Sequence, residues 1–425
     1  MIYREKYIIP IRDFYKSDLI KIITGIRRCG KSVILKQVMN EISIQSSNLI
    51  YLNFENAAKG PDIKNGNDLI NYVLEKKKRG LCYVFLDEVQ TIEGWQIACK
   101  TLRLNQCSVF ITGSNSKLLS SEFTKELSGR YVSFRIRPFV YKEVVMLAKE
   151  KRKKISVSDY LIWGGFPNRF YMKNQEAQSL YLNDLKTTIV INDLVNRYGI
   201  RKRALFESLV TFILRSNSRI FSAKAIRDYV KQEHDKCSVN TIMKYIAYLK
   251  EAYVICGLPQ YSTKVKRELS FYEKVYNEDV ALNSIHASAG RYDITHNLEN
   301  IVYNELIYMG YELFVYNNKG KEIDFLAQKG NKKYLIQVAY SVAEEKAYER
   351  EFAAFNGIEG DFQKIIITND DMDFSSSTVR HIMLKDFLLM DSLEVMPKAT
   401  SLAEARAAYN VWLRYKKEHS PKRAR

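Results

Sequence analysis

Residues 25–32 read Gly-Ile-Arg-Arg-Cys-Gly-Lys-Ser and fit the spacing Gly-x-x-x-x-Gly-Lys-Ser/Thr. Gly25 and Gly30 let the backbone N–H groups of the loop, those of Ile26, Arg27, Arg28 and Cys29 included, turn inward around phosphate oxygens. The helix opening at Lys31, Ser32 and Val33 aims its positive end at the same anion. Lys31 reaches the β- and γ-phosphates of a nucleotide such as ATP, and the Ser32 hydroxyl is a ligand for Mg²⁺. Cys29 places a thiol beside those phosphates. A second pair, Asp87-Glu88, closes an apolar run. Asp87 is expected to bind Mg²⁺ through water, and Glu88 to polarise the attacking water. Ser114 or Asn115, at another strand tip, is expected to sense the γ-phosphate. Arg130 is either an arginine finger for a neighbouring subunit or one half of a structural ion pair.

These groups need a scaffold that brings several strand ends to one edge. Ile22 and Ile23 form a short apolar strand before the loop. Val33, Ile34, Val38, Met39 and Ile42 follow at helical spacing. A second strand covers Asn48 to Glu55. A helix follows from about Asp68, with basic residues in its last turn and Gly80 as its stop. Within Leu81 to Val89, Tyr83, Val84, Phe85 and Leu86 form a continuous apolar run that leads straight into Asp87-Glu88, the signature of a buried parallel strand, with ligands beyond its carboxyl end. An amphipathic helix over Trp95–Leu104, a strand over Val109–Thr112 and a strand from Tyr131 to Ile136 complete an alternating β/α core.

At 425 residues the chain is long enough for two to four domains. Its 46% hydrophobic and 27% charged content is that of a globular protein. No apolar run is long enough to cross a bilayer, and the start lacks a signal-peptide core. Six scattered cysteines without a Cys-x-x-Cys pair suit a reducing cytoplasm and argue against structural zinc. A net charge of +18 favours a polyanionic partner, most simply nucleic acid.

Beyond the core, Lys149–Lys154 is a basic run that marks the end of the nucleotide sheet. Gln178 to Arg203 is helical and mixed in charge, and Phe206–Leu214 is apolar at helical spacing. Helices capped by Ser222 and Ser238 precede two short strands, 253–256 and 271–276. Three helices and a hairpin make a winged helix-turn-helix. On DNA, Asn240, Thr241 and Lys244 would face the major groove, with Lys264, Lys266 and Arg267 in the wing on phosphates. Protein docking is the alternative use of such a module.

GIRRCGKS, YVFLDEVQ, FITGSNSKLL and LSGRY, in this order, resemble the AAA-type ATPases of bacteria and archaea that carry a C-terminal DUF4143 domain. Gly164-Gly-Phe-Pro167 and Gly320-Lys-Glu-Ile-Asp324-Phe also fit, so the resemblance runs from Ile8 to Leu389. It implies an ASCE-type P-loop fold. Similar P-loop switches use a Gly-x-Pro turn as a lid, which would bring Pro167 to adenine and Arg169 to phosphate. The C-terminal order α-β-β-β-α-β resembles the PD-(D/E)xK nuclease fold. By that resemblance Glu299 and Asp324 fit two of the carboxylate positions. The third motif reads Gln337-Val-Ala339 where Glu-x-Lys is needed, so little or no nuclease activity is expected.

The expected fold class is α/β: a P-loop parallel sheet, a winged helix and a restriction-endonuclease-like domain. The expected divisions are 1–140 for the ATPase core, 141–175 for a lid, 176–262 for the linker and winged helix, 263–395 for the nuclease-like domain and 396–425 for a terminal helix and basic tail. The expected function is Mg²⁺-dependent ATP hydrolysis coupled to a DNA-associated module, with a homo-oligomer as the arrangement an Arg130 finger would require. The alternatives are an ATP-gated signalling switch on a protein partner and an ATP-dependent nuclease.

Overall fold

The computed structural model describes residues 2–55, 61–113, 129–220, 226–228, 238–261, 273–285, 292–318 and 320–394. Ser114, Asn115, Lys264, Lys266, Arg267, most of the Ser222-capped helix and the C-terminal helix and tail lie outside these residues. Among the described residues no helix is long and apolar enough to cross a membrane.

The first unit comprises α1 (Glu5–Arg12), β1 (Ile20–Thr24), α2 (Lys31–Ser43), β2 (Leu49–Asn53), α3 (Gly66–Lys76), β3 (Cys82–Asp87), α4 (Trp95–Leu104), β4 (Cys107–Gly113) and β5 (Tyr131–Arg135). The five strands pair in the order β2-β3-β4-β1-β5, all parallel. Strand β4 therefore lies between the loop-bearing β1 and the acidic-tipped β3. The two-residue period of the strands builds two cores. Ile23, Phe85 and Phe110 face one side with α2, while Ile22, Val84, Leu86, Val109 and Ile111 face the other with α3 and α4.

One residue breaks this apolar pattern. Lys21, in the middle of β1, is fully buried. Its Nζ donates to Ser17 O at 2.9 Å and to Ser108 Oγ at 2.7 Å, and lies over the Phe110 ring. Burial pulls its ammonium down to about 7. The unfolded chain, with an ordinary lysine near 10.5, binds more protons between these values. The unfolding free energy should therefore rise by roughly 2 to 4 kcal/mol as pH goes from about 7 to about 10.5. Denaturation midpoints followed across that range should show the rise in the wild type and lose it in Lys21→Met.

A middle unit follows: α5 (Tyr141–Glu150), α6 (Val157–Trp163), α7 (Gln175–Lys186), α8 (Asp193–Tyr198), α9 (Arg203–Arg215), β6 (Arg219–Ile220), α10 (Val239–Glu251), β7 (Ile255–Pro259), β8 (Glu273–Asn277) and α11 (Ala281–Ser284). A π-helical stretch, Thr187–Asn192, joins α7 to α8. Strand β8 pairs antiparallel with both β6 and β7. That pairing corrects the division expected at 262/263, which separates β8 from its sheet.

The last unit is α12 (Ile294–Met309), β9 (Glu312–Asn318), β10 (Lys321–Lys329), β11 (Lys332–Ala339), α13 (Glu345–Phe352), β12 (Gln363–Thr368), β13 (Val379–Met383) and α14 (Leu384–Phe387). Its sheet order is β13-β12-β11-β10-β9. The α-β-β-β-α-β succession is present, with β13 added as a parallel edge strand. Strand β10 carries a bulge between Ile323 and Leu326. The irregularity falls at Asp324 and Phe325, and residues 323–327 are all buried instead of alternating.

Candidate nucleotide site and carboxylate cluster

Parallel pairing brings the ends of β1 and β3 to one edge of the sheet. Gly25 has φ +141°, and a Cβ there would meet the Ile136 carbonyl oxygen at 2.0 Å; Gly30, before α2, has φ +103°. Glycine is needed at both for different reasons, close packing at the first and left-handed backbone at the second. The loop side chains divide. Arg28 is exposed and Arg27 half-buried, but Ile26 and Cys29 are fully buried in the core beneath the loop. The thiol expected beside the phosphates is therefore directed elsewhere. Cys29 Sγ lies 3.3 Å from the Ile136 carbonyl, and burial pushes the thiol up. Lys31 Nζ folds back to donate to the carbonyls of Gly25 and Ile26, 3.2 Å each.

Asp87 is 1% exposed and receives three hydroxyls. Ser32 Oγ and Thr112 Oγ1 donate to its Oδ1 at 2.9 and 2.5 Å, and Tyr51 Oη donates to Oδ2 at 3.1 Å. The Ser32–Asp87 pair supplies the hard oxygen donors that suit Mg²⁺. The next residue, Glu88, has φ +56°, a left-handed conformation unusual for glutamate. Its N–H donates to Thr112 Oγ1 at 2.9 Å, so Thr112 ties the tips of β3 and β4 together. The γ-phosphate sensor expected at the β4 tip, Ser114 or Asn115, lies two or three residues beyond this threonine in the sequence.

Arg130 stands just before β5, whose Tyr131 pairs with Ile20 and whose Arg135 pairs with Thr24. It is exposed at the end of the sheet opposite the loop, roughly 16 Å away by strand rise. At the loop end stand two arginines that the sequence did not single out. Arg135 and Arg137 meet the fully buried side chain of Glu278 at 2.6 and 3.1 Å. The neighbouring Asp279 accepts from Gly165 N–H at 2.7 Å and from Ala281 N–H at 2.9 Å, and burial pushes its carboxyl up to about 6. The polar run Asn277-Glu278-Asp279 at a strand tip, like Asp87-Glu88, was the signal available for them. Arg27 also reaches the middle unit, pairing with Asp193 at 2.5 Å and Glu55 at 3.5 Å.

Pro167 opens the 3-10 turn Pro167–Tyr171 and is half-buried. Phe166, just before it, shares a core with Ile26 and Cys29. Arg169 does not offer itself to phosphate. It is 1% exposed, and its guanidinium binds Gly164 O (2.8 Å), Gln178 (2.9 Å) and Asp159 (2.9 Å), which frames the turn instead. On α10, Asn240 and Lys244 are exposed and Thr241 is half-buried. Ser238 caps that helix as expected, accepting from the Thr241 N–H at 3.1 Å.

In the C-terminal unit, Glu299 on α12 and Asp324 on β10 come together. Gln337 turns its amide to Glu351 Oε2 at 3.0 Å and accepts from Asp324 N–H at 3.4 Å; Ala339 is buried. The cluster nevertheless contains a lysine, contrary to the expectation from residue 339 alone. It is Lys274 from β8, whose Nζ lies 2.7 Å from Glu299, 2.7 Å from Glu322 and 2.9 Å from Asp324.

A parallel sheet of this order, with a glycine loop on β1 and an acidic tip on β3, defines a P-loop NTPase of the AAA/ASCE type. The sequence comparisons agree. Residues 17–145 match an AAA domain profile (AAA_14), 154–291 a domain of unknown function (DUF8612) and 295–387 another (DUF4143). An uncharacterized protein of Haemophilus influenzae is 32% identical over 378 residues, covering 87% of this chain and 93% of that protein. One from Methanocaldococcus jannaschii is 30% identical over 377 residues, covering 83% and 82%. Among solved structures, a Walker-type ATPase of Pyrococcus abyssi is similar at TM-score 0.48 and 15% identity, covering 68% of this chain and 96% of that one. The chain belongs to the family of AAA_14 P-loop ATPases with a C-terminal DUF4143 domain.

Proposed function

We propose that this chain is a Mg²⁺-dependent ATPase whose nucleotide state is passed to a DNA-associated winged helix and a nuclease-like domain that does not cut. The observation that carries the ATPase reading is the meeting of Ser32 and Thr112 on Asp87, directly beside Glu88. Mg²⁺-bound ATP supplies the transferable γ-phosphoryl group. Lys31 exchanges the Gly25 and Ile26 carbonyls for phosphate oxygens. Ser32 and Asp87 hold the ion, and Glu88 orients and polarises water. Thr112, with Ser114 or Asn115, reports on the γ-phosphate, and Pro167 borders the base. Arg130, too far from its own loop, serves the nucleotide of a neighbouring subunit in a homo-oligomer.

DNA is supported by the net charge of +18 and by the exposed Asn240 and Lys244 at the start of α10. Thr241, Lys264, Lys266 and Arg267 are the further DNA contacts of this reading. A second reading, a switch acting on a protein partner, is favoured by the ion pairs Arg27–Asp193 and Arg135–Glu278, which tie the nucleotide loop and the adjoining strand to the middle unit. One experiment separates them. ATP turnover and duplex DNA binding are measured together from about 50 to 200 mM salt. The lead reading expects turnover and DNA affinity that falls by about tenfold or more over that range. Turnover with no salt-dependent DNA binding would support the switch, and no turnover would refute the ATPase.

A further inference from the structure

The nuclease-like fold implies a divalent cation between Glu299 and Asp324, but the residues present do not fit one. Gln337 is neutral and turned toward Glu351. Asp324 Oδ2 already accepts the Val338 N–H at 2.9 Å, and Glu299 accepts the Tyr276 hydroxyl at 2.7 Å. That same Glu299 Oε1, together with Asp324 Oδ1 and Glu322 Oε1, converges on Lys274, which is only 4% exposed. We propose that Lys274 is the resident cation of this cluster: its ammonium takes the position of a divalent ion and latches β8 of the middle unit onto the C-terminal domain.

Three features support the latch. Lys274 and Tyr276 lie on one face of β8, two residues apart, and both reach Glu299. Tyr276 stacks on Tyr303 of α12 at 4.3 Å, and Asn277 exchanges two hydrogen bonds with Asn300. The bulge in β10 sits where Asp324 joins the lysine. Electrostatics agree in direction. The carboxylates hold the Lys274 ammonium charged, well above the usual lysine range, while burial and Asp324 push Glu299 up. A cation entering from water must displace a tethered ammonium that already pairs with three carboxylates. Removing the ammonium leaves those carboxylates without a counter-charge, which another cation supplies once Glu299, pushed up to about 8, is ionised.

The test is Mn²⁺ titration of the full, nucleotide-free chain, read by electron paramagnetic resonance and by melting temperature. It does not depend on ATP turnover. Wild type and Asp324→Asn should bind the same number of Mn²⁺ ions. Lys274→Met should bind one more, at least about tenfold more tightly than wild type at this cluster, and melt higher with Mn²⁺ present. Lys274→Met/Asp324→Asn should lose both gains. A Mn²⁺ ion bound by wild type and lost in Asp324→Asn would overturn the proposal. So would a Lys274→Met chain that gains neither Mn²⁺ nor stability. If Lys274→Met folds poorly, the comparison of wild type with Asp324→Asn still decides.

Discussion

Replacing Glu88 with Gln should lower ATP turnover by about 10²- to 10⁴-fold and leave ATP affinity within a few-fold of wild type. The change is isosteric and removes only the base. The Glu88 N–H bond to Thr112 is a backbone contact that survives it, and the left-handed φ is as accessible to Gln as to Glu. The carboxylate that polarises water in the proposed mechanism is lost, while Lys31, Ser32 and Asp87 are untouched. Lys31→Ala should give the opposite split, with weak nucleotide binding as well as lost turnover, because the cation facing the β- and γ-phosphates is gone. A fluorescent ATP analogue measures binding, and phosphate release measures turnover. Normal turnover in Glu88→Gln would place the water-activating base elsewhere.

Replacing Glu143 with Ala should cost about 3–5 kcal/mol of stability, the largest structural effect expected in the chain. Arg4 is buried beneath the nucleotide loop, and Glu143 grips it with both oxygens, at 2.7 and 2.8 Å. The same guanidinium donates to the carbonyls of Cys29 and Arg137, at 3.2 and 3.0 Å. Without Glu143 a charged guanidinium is stranded where water does not reach, and the Val140 N–H loses its partner at the start of α5. The double change Arg4→Met/Glu143→Leu removes both charges and should recover much of the loss. Urea denaturation of the three variants provides the comparison. Equal destabilisation by the single and double changes would show that the loss is one of packing and not of an uncompensated charge.

The parts of the fold that could be read directly are those where one local rule dominates. Strands β3 and β4 are buried on both faces, so their sequences are nearly continuous apolar runs, and β1 departs from that only at Lys21 and its terminal Thr24. The glycine loop carries its spacing in eight consecutive residues. The Ser238 cap and the hairpin that follows α10 were legible for the same reason. Helix α1 was not, because Pro10 interrupts an eight-residue segment that otherwise shows little pattern. Arg4 with Glu143, Arg135 with Glu278 and Lys274 with Asp324 were invisible for a different reason. Each joins residues far apart in the chain, and nothing local marks a charged residue as buried. Residue 339 illustrates the limit. Alanine there does remove a lysine from β11, but the fold supplies one from another strand.

The pairing of Glu278 with Arg135 has a consequence for synthesis. The carboxylate comes 143 positions after the arginine that it holds. A ribosome that has released residues 1–140 has produced every strand of the nucleotide sheet, yet Arg135 and Arg137 still lack their anion. The nascent sheet must wait for the middle unit before its edge beside the loop is neutralised. Stalled chains ending before residue 278 are therefore expected to be protease-sensitive near β5, and chains extended past it protected. Maturation of the nucleotide site would then be a late event, set by translation of β8 and not by completion of the sheet itself.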